Sequence, residues 1–366
     1  MEDHNHEDHN HEDHHYPDRV PHTRTIVVTA GQSPERIDRF ITTAVMRATR
    51  NKVQDAIAAG TVLVNGQPTR ANYRVRPGDE IEITLMKPPP IELIAQDIPL
   101  DIRYEDDDML VVNKPAGMVT HPGFGNRDGT LVNAVLFHVG GKLPMVDDAP
   151  IPDEDAGEAE DAPDDEEGLE EAGPRPGIVH RLDKDTTGLM VVAKNGESLS
   201  SLAVQFADRT AKREYWAVAW GIFEEDEGEI EGDLGRDSRD RKKFTVVRKG
   251  GKYALTRYRV VERFGFATLI ALRLATGRTH QIRVHCAHIG HPLFGDGTYG
   301  GRQVVYPGPG GKHRQHVANL LKLMDRQALH AKMLGVNHPR SGEYMEFDSE
   351  LPEDIVTLIE ALRGVS

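Results

Sequence analysis

Two short stretches of this chain put charged side chains where chemistry could use them. The first, HRLDKDTTGL at residues 180–189, sets His180, Arg181, Asp183, Lys184 and Asp185 between apolar runs, the pattern of an exposed loop feeding a strand. A carboxylate in such a loop can attack an electrophilic carbon, leave again, and stabilise positive charge developing on a substrate. Alone this is weak evidence, because charged turns before strands are common. The second stretch, TGRTHQIRVHCAHIGHPLFGDGTYG at 276–300, ends a strand at Thr276-Gly277. It then crowds Arg278, His280, Arg283 and His285 onto the start of a helix, where arginines and unpaired amides attract anions. A phosphate or a catalytic carboxylate would satisfy that site.

His280, His285, His288 and His291 lie near Cys286 and raise the question of zinc. Their spacing lacks the i, i+4 histidine pair and accompanying glutamate of the HExxH motif. We therefore expect no metal. Cys286 is the only cysteine, so the chain forms no internal disulfide, which fits a reducing compartment.

The elements that must position these residues fall into two groups. From Arg36, apolar residues Ile37, Phe40, Ile41 and Val45 share one helical face, and a second short helix runs through Val53 and Ile57 to Gly60. Val62 to Val64 reads as a strand entering an Asn65-Gly66 turn, and Ile81, Ile83 and Leu85 alternate as another strand. Between Arg36 and Lys87 nine bases face five acids. The run Pro88-Pro89-Pro90 stiffens the exit. Further on, strands are expected at Met109–Val112, Gly188–Lys194 and Tyr215–Trp220, with several more between Phe244 and Leu274. Helices are expected at Glu197–Asp208 and over Ile355, Leu358, Ile359 and Leu362, the latter opened by Pro352 and closed by Gly364. This second region is α+β with much antiparallel sheet.

At 366 residues the chain is long enough for two domains with a sizeable core. Its net charge of −15 argues at first against a nucleic-acid partner. Residues 1–18 hold 7 Asp/Glu and residues 143–174 hold 14, neither with any Lys or Arg. Outside these two segments 38 acids face 44 bases, so the remainder is mildly basic, as phosphate contact favours. Both acidic segments are too poor in large apolar residues to fold and are expected to be disordered. The histidine-rich, acidic start resembles no signal peptide, and no apolar run approaches the ~20 residues needed to span a bilayer. A cytoplasmic protein is expected.

HRLDKDTTGL, REYWAVAWG and TGRTHQIRVH, in this order, resemble the three core motifs of the RluA/RluD-type pseudouridine synthases. NKPAGMVTHPGFGN and RQALHAKML resemble their flanking motifs, and RIDRF, AIAAGTVLVNGQP and VRPGDEIEI resemble an S-four-like RNA-binding domain. The resemblance implies an α+β catalytic fold with a mixed, largely antiparallel sheet, preceded by a small α/β RNA-binding domain. It divides the chain into a tail at 1–23, the S-four-like domain at 24–88, a linker at 89–100 and a catalytic domain at 101–366 carrying the 143–174 insertion. The implied reaction is isomerisation of uridine to pseudouridine in RNA, without metal or cofactor. The RluD-type branch points to large-subunit (23S) rRNA or its precursor, the alternatives being tRNA, another rRNA site, or a catalytically inactive RNA-binding ribosome-assembly factor. Asp183 would be the essential carboxylate, Arg283 its partner, Tyr215 the ring stacked on the target base, and Arg181 the side chain filling the space of the flipped uridine. His180, Arg278, His280, Arg36, Arg39, Arg50 and Lys52 complete the expected RNA contacts, on a monomeric protein with no membrane association.

Overall fold

The computed structural model describes residues 20–45, 50–87, 92–123, 126–145, 175–240, 243–303 and 311–364, which divide into two compact units after Pro90. Most of the expected tail, the acidic insertion from residue 146 and the Pro88–Pro90 run lie outside the described residues.

In the first unit, β1 (Val20–Val27), β4 (Glu80–Lys87), β2 (Val62–Val64) and β3 (Gln67–Pro68) form an antiparallel sheet in that order. Helices α1 (Ile37–Ala44) and α2 (Arg50–Ala58) bury Ile37, Phe40, Ile41, Val53 and Ile57 against Val62, Val64, Ile81 and Ile83. The β2–β3 turn needs two left-handed residues, and Asn65 and Gly66 supply them with φ of 51° and 77°. Strand β1 corrects the expected boundary. It starts at Val20, inside the stretch expected to be a tail, and pairs with β4 from Val20 opposite Lys87 to Val27 opposite Glu80. Its side chains are almost all exposed, so no apolar stripe betrays it, and an edge position tolerates Pro21.

The second unit begins before the expected residue 101. Leu93 and Leu100 pack on its core, Asn133 donates to the Ile94 carbonyl, and the Gln96 amide donates to the Asn133 carbonyl. Residues 92–100 are thus bound to this unit rather than serving as a linker. Its described strands are β5 (Ile102–Glu105), β6 (Met109–Lys114), β7 (Thr187–Ala193), β8 (Lys212–Trp220), β9 (Glu227–Arg236), β10 (Phe244–Val247), β11 (Lys252–Phe264), β12 (Ala267–Leu274), β13 (Leu329–Asn337) and β14 (Tyr344–Asp348). They form one sheet in the order β10-β9-β11-β12-β8-β13-β7-β6-β5, with β14 paired to the outer half of β13. Every pairing is antiparallel except β13 with β7.

Both faces of the central strands are buried. One face sends Leu110, Val112, Met190, Val192, Tyr215 and Ala217 toward α3 (Leu131–His138) and α5 (Gln281–His288). The intervening residues Met109, Val111, Leu189 and Val191 meet α4 (Gly196–Ala207), while Val218 and Trp220 meet α6 (Gly311–Leu323) and α7 (Glu353–Arg363). Burial on two sides explains why GLMVVA reads as an unbroken apolar run instead of an alternation. At its head Gly188, with φ of 122°, lies so close to β13 that a Cβ would collide with the backbone of Ala331. The fold therefore needs glycine where the HRLDKDTTGL loop enters the sheet.

Candidate active site

Three segments that are far apart in sequence meet at one open cleft. It is lined by Arg181, Asp183 and Thr186 from the loop before β7, by Arg213 and Tyr215 from β8, and by residues 277–283 at the start of α5. The entry to α5 turns sharply, for His280 takes a left-handed conformation with φ of 54° immediately before the helix. That turn sets Arg283, one helical turn in, against the loop.

Arg283 is buried and holds two carboxylates at once. Its Nη1 donates to Asp183 Oδ2 at 3.1 Å, while Nε and Nη2 grip Asp296 through a fork of 2.8 and 3.1 Å. Asp296 is fully buried and also accepts the backbone amides of Thr298 and Tyr299 at 2.9 and 3.0 Å. Its site is therefore built for a charged carboxylate. Burial opposes the charge on Arg283, but Asp183 and Asp296 outweigh it and raise the guanidinium above its ordinary value. Arg283 is consequently a fixed cation that can orient Asp183 without consuming a proton. The Tyr299 ring lies 5.0 Å from the guanidinium, and its hydroxyl accepts from the Phe244 amide and meets His280 Nδ1 at 2.7 Å. Burial pushes that phenol well above the usual range, so it stays protonated.

The loop carrying Asp183 is held along its whole length. Thr120 Oγ1 bonds both the carbonyl and the amide of Leu182, at 3.0 and 3.4 Å. The buried Lys114 ammonium donates to the Lys184 carbonyl at 2.9 Å and to the carbonyls of Pro115 and Met118. Arg326 Nη1 reaches the Asp185 carbonyl at 3.0 Å while its other nitrogens fork onto Asp354, and Gln327 reaches Thr186 Oγ1 at 3.2 Å. Four separate anchors flank the Arg283 contact, which limits the loop's freedom to move Asp183 away.

The expected site residues do not all share the cleft. Asp183, Tyr215, Arg283, Arg181, Arg278 and His280 line it, although Tyr215 and His280 are only 5% and 7% exposed. His180 does not meet the expectation of an RNA contact. It is 2% exposed, stacks on Phe206 at 4.4 Å between centroids, and accepts the Val191 amide at 3.1 Å. Burial lowers its pKa to about 3, so it is a neutral core residue. In the first unit Arg39 is exposed and Lys52 half-buried, but Arg36 and Arg50 both turn onto the buried carboxylate of Asp38. Sequence reasoning missed Asp296 and Tyr299. The only signal was the turn-forming Gly-Asp-Gly-Thr, which suits an aspartate capping its own following amides.

Three of the histidines considered for zinc have separate partners, His280 meeting Tyr299 as above. His285 meets Thr256 Oγ1 at 2.9 Å, and His291 meets the Trp220 carbonyl at 2.7 Å. Among the described residues, Asp106, Asp108 and His338 bring possible metal ligands within 4.8 Å of one another. Arg340 lies 2.7 Å from Asp108 and His338 lies 2.6 Å from Asp106, so a cation would have to displace existing partners.

Comparison with known proteins identifies the family of the chain. A family model described as RNA pseudouridylate synthase matches residues 108–288, and an S4 domain matches residues 35–81. An uncharacterized RNA pseudouridine synthase of Chlorobaculum parvum is 46% identical over 344 residues, covering 93% of this chain and 98% of the relative. The uncharacterized RNA pseudouridine synthase YlyB of Bacillus subtilis is 42% identical, covering 92% and 97%. Ribosomal large subunit pseudouridine synthase D of Salmonella typhimurium is also 42% identical, covering 93% and 94%. The chain belongs to the RNA pseudouridine synthases, isomerases that convert uridine to pseudouridine in RNA. Among the described residues no helix is long and apolar enough to cross a membrane.

Proposed function

We propose that this enzyme modifies large-subunit (23S) ribosomal RNA and that Asp183 is its reactive carboxylate. The observation that carries the catalytic assignment is the Asp183–Arg283–Asp296 chain, which holds one carboxylate at the wall of a cleft beside Tyr215. In the reaction the bond from ribose carbon 1′ to uracil nitrogen 1 breaks, the base turns, and carbon 1′ bonds to carbon 5, whose proton is then released. Asp183 either attacks carbon 1′ or assists departure of the base and the later proton transfer, and Arg283 keeps it charged as RNA excludes water. Tyr215 stacks on the flipped base, and Arg181 fills the space it vacates. The rRNA target rests on similarity along nearly the whole chain to relatives named as large-subunit enzymes, together with the RNA-binding domain in front.

Tritium release from a large-subunit rRNA transcript labelled at uridine carbon 5 tests both parts. Release by the wild type and none by Asp183→Asn is expected. Release from tRNA alone would transfer the assignment to tRNA, and RNA binding without release from either would indicate a binding protein that kept the scaffold.

A further inference from the structure

Arg213 is a cleft residue to which neither the motifs nor the catalytic chain gives a task. It stands two residues before Tyr215 on β8, so both side chains leave the same face of the strand. Glu214 between them turns the other way and pairs with Arg273 at 2.9 Å. Arg213 lines the cleft with Asp183 and Tyr215, its guanidinium 5.2 Å from the centre of the Phe206 ring. Its Nε is enclosed by protein and has no hydrogen-bond partner among the described residues. Among the described residues no carboxylate pairs with Arg213, so its charge is left for a ligand that enters the cleft.

Two considerations define that ligand. The charge is positive and the donors form a planar fork, which matches the oxygens of a phosphodiester. Asp183, the carboxylate that lines the cleft with Arg213, is already held by Arg283. A uridine that leaves its helix to reach Asp183 brings its flanking phosphates to the cleft rim, and its unstacking must be offset by contacts made only in the flipped state.

We infer that Arg213 binds a backbone phosphate next to the flipped uridine, making the cleft a site for the nucleotide's phosphodiester as well as for its base. The inference rests on the cleft being the place of isomerisation and is independent of which RNA is modified. Arg213 acts on capture of the flipped nucleotide, and Asp183 acts on the bond.

The test compares wild type, Arg213→Gln and Arg213→Lys in two measurements. One is the salt dependence of binding to a short single-stranded uridine-containing oligonucleotide. The other is steady-state tritium release from the labelled large-subunit transcript. Arg213→Gln should lower the slope of log affinity against log salt by about one and raise KM roughly ten-fold with a smaller change in kcat. Arg213→Lys keeps the charge and should restore the slope while recovering KM in part. Matching melting temperatures establish that all three are folded. An unchanged salt slope for Arg213→Gln overturns the inference, as does a fall in kcat with KM and slope intact, which would make Arg213 a support for Tyr215. Wild type that releases no tritium from the transcript would refute the rRNA target, while the oligonucleotide slope would still decide the role of Arg213.

Discussion

Each unit contains an aspartate gripped by arginine, and the two arrangements are opposite. In the first unit the aspartate is hidden. Asp38 is fully buried, and the half-exposed Arg36 and Arg50 close over it with help from Gln54 and the Arg39 amide. In the second unit the arginine is hidden. Arg283 is 7% exposed and is held from behind by the fully buried Asp296, while Asp183 keeps 16% of its side chain exposed at the cleft. A carboxylate enclosed by its partners can only support the fold, whereas one held by a buried cation is oriented and still reachable. The decisive difference is which member of the pair the fold encloses.

Substitutions at either aspartate should break this contrast in different currencies. Asp183→Asn should cost the most activity, about 10⁴-fold or more in kcat, with RNA affinity nearly unchanged because many phosphate contacts remain. Tritium release together with filter binding would show it. Asp296→Asn should be next, lowering kcat by roughly 10²-fold and stability by about 3 kcal/mol, since Arg283 would lose its buried counter-charge. A denaturant melt beside the activity assay separates these two losses. Removing residues 20–87 should weaken RNA binding about ten-fold and flatten its salt dependence while leaving the cleft intact, measured by titration at several salt concentrations.

Asp38→Asn should have the smallest effect, lowering the melting midpoint of the first unit by a few degrees at neutral pH and sparing kcat. Hydrogen bonds from Arg36, with those of Gln54 and Arg50, hold the Asp38 carboxyl well below the usual carboxylate range despite its burial. A depressed carboxylate contributes its stability above the unfolded value of about 3.9 and loses it as pH falls toward the folded value. The gap between wild type and Asp38→Asn should therefore close below about pH 4, which melts across an acid series would reveal.

Much of the molecule was legible where one local rule dominated. The amphipathic face of α1, the Asn65-Gly66 turn and the boundaries of α7 follow from residue spacing alone. Where burial surrounds an element or leaves it altogether, the pattern fails. Helix α3, LVNAVLFH, buries six of its eight residues and shows no stripe. Strand β9, EGEIEGDLGR, looks like an acidic loop and is fixed by its pairing with β10 and β11. At the site, motif resemblance brought Asp183, Tyr215 and Arg283 together, but no spacing rule discloses that Asp296 stands behind Arg283. His180 misled because a histidine beside an arginine in a charged loop reads as exposed, whereas the ring turns inward onto Phe206. Arg36 and Arg50 counted as free bases in the sequence and are partly spent on Asp38.

The anchoring of the loop around Asp183 also sets an order of events during synthesis. Thr120 and Lys114 precede the loop in the chain, but Arg283, Arg326 and Gln327 follow it by 100 residues or more. While the ribosome is still making the middle of the protein, Asp183 has left the tunnel with only its early supports in place. At ~5–20 residues per second, several seconds or more separate emergence of the carboxylate from emergence of the last side chain that fixes it. A chain cut short between residues 190 and 282 would retain every residue of HRLDKDTTGL and lack the guanidinium that orients Asp183.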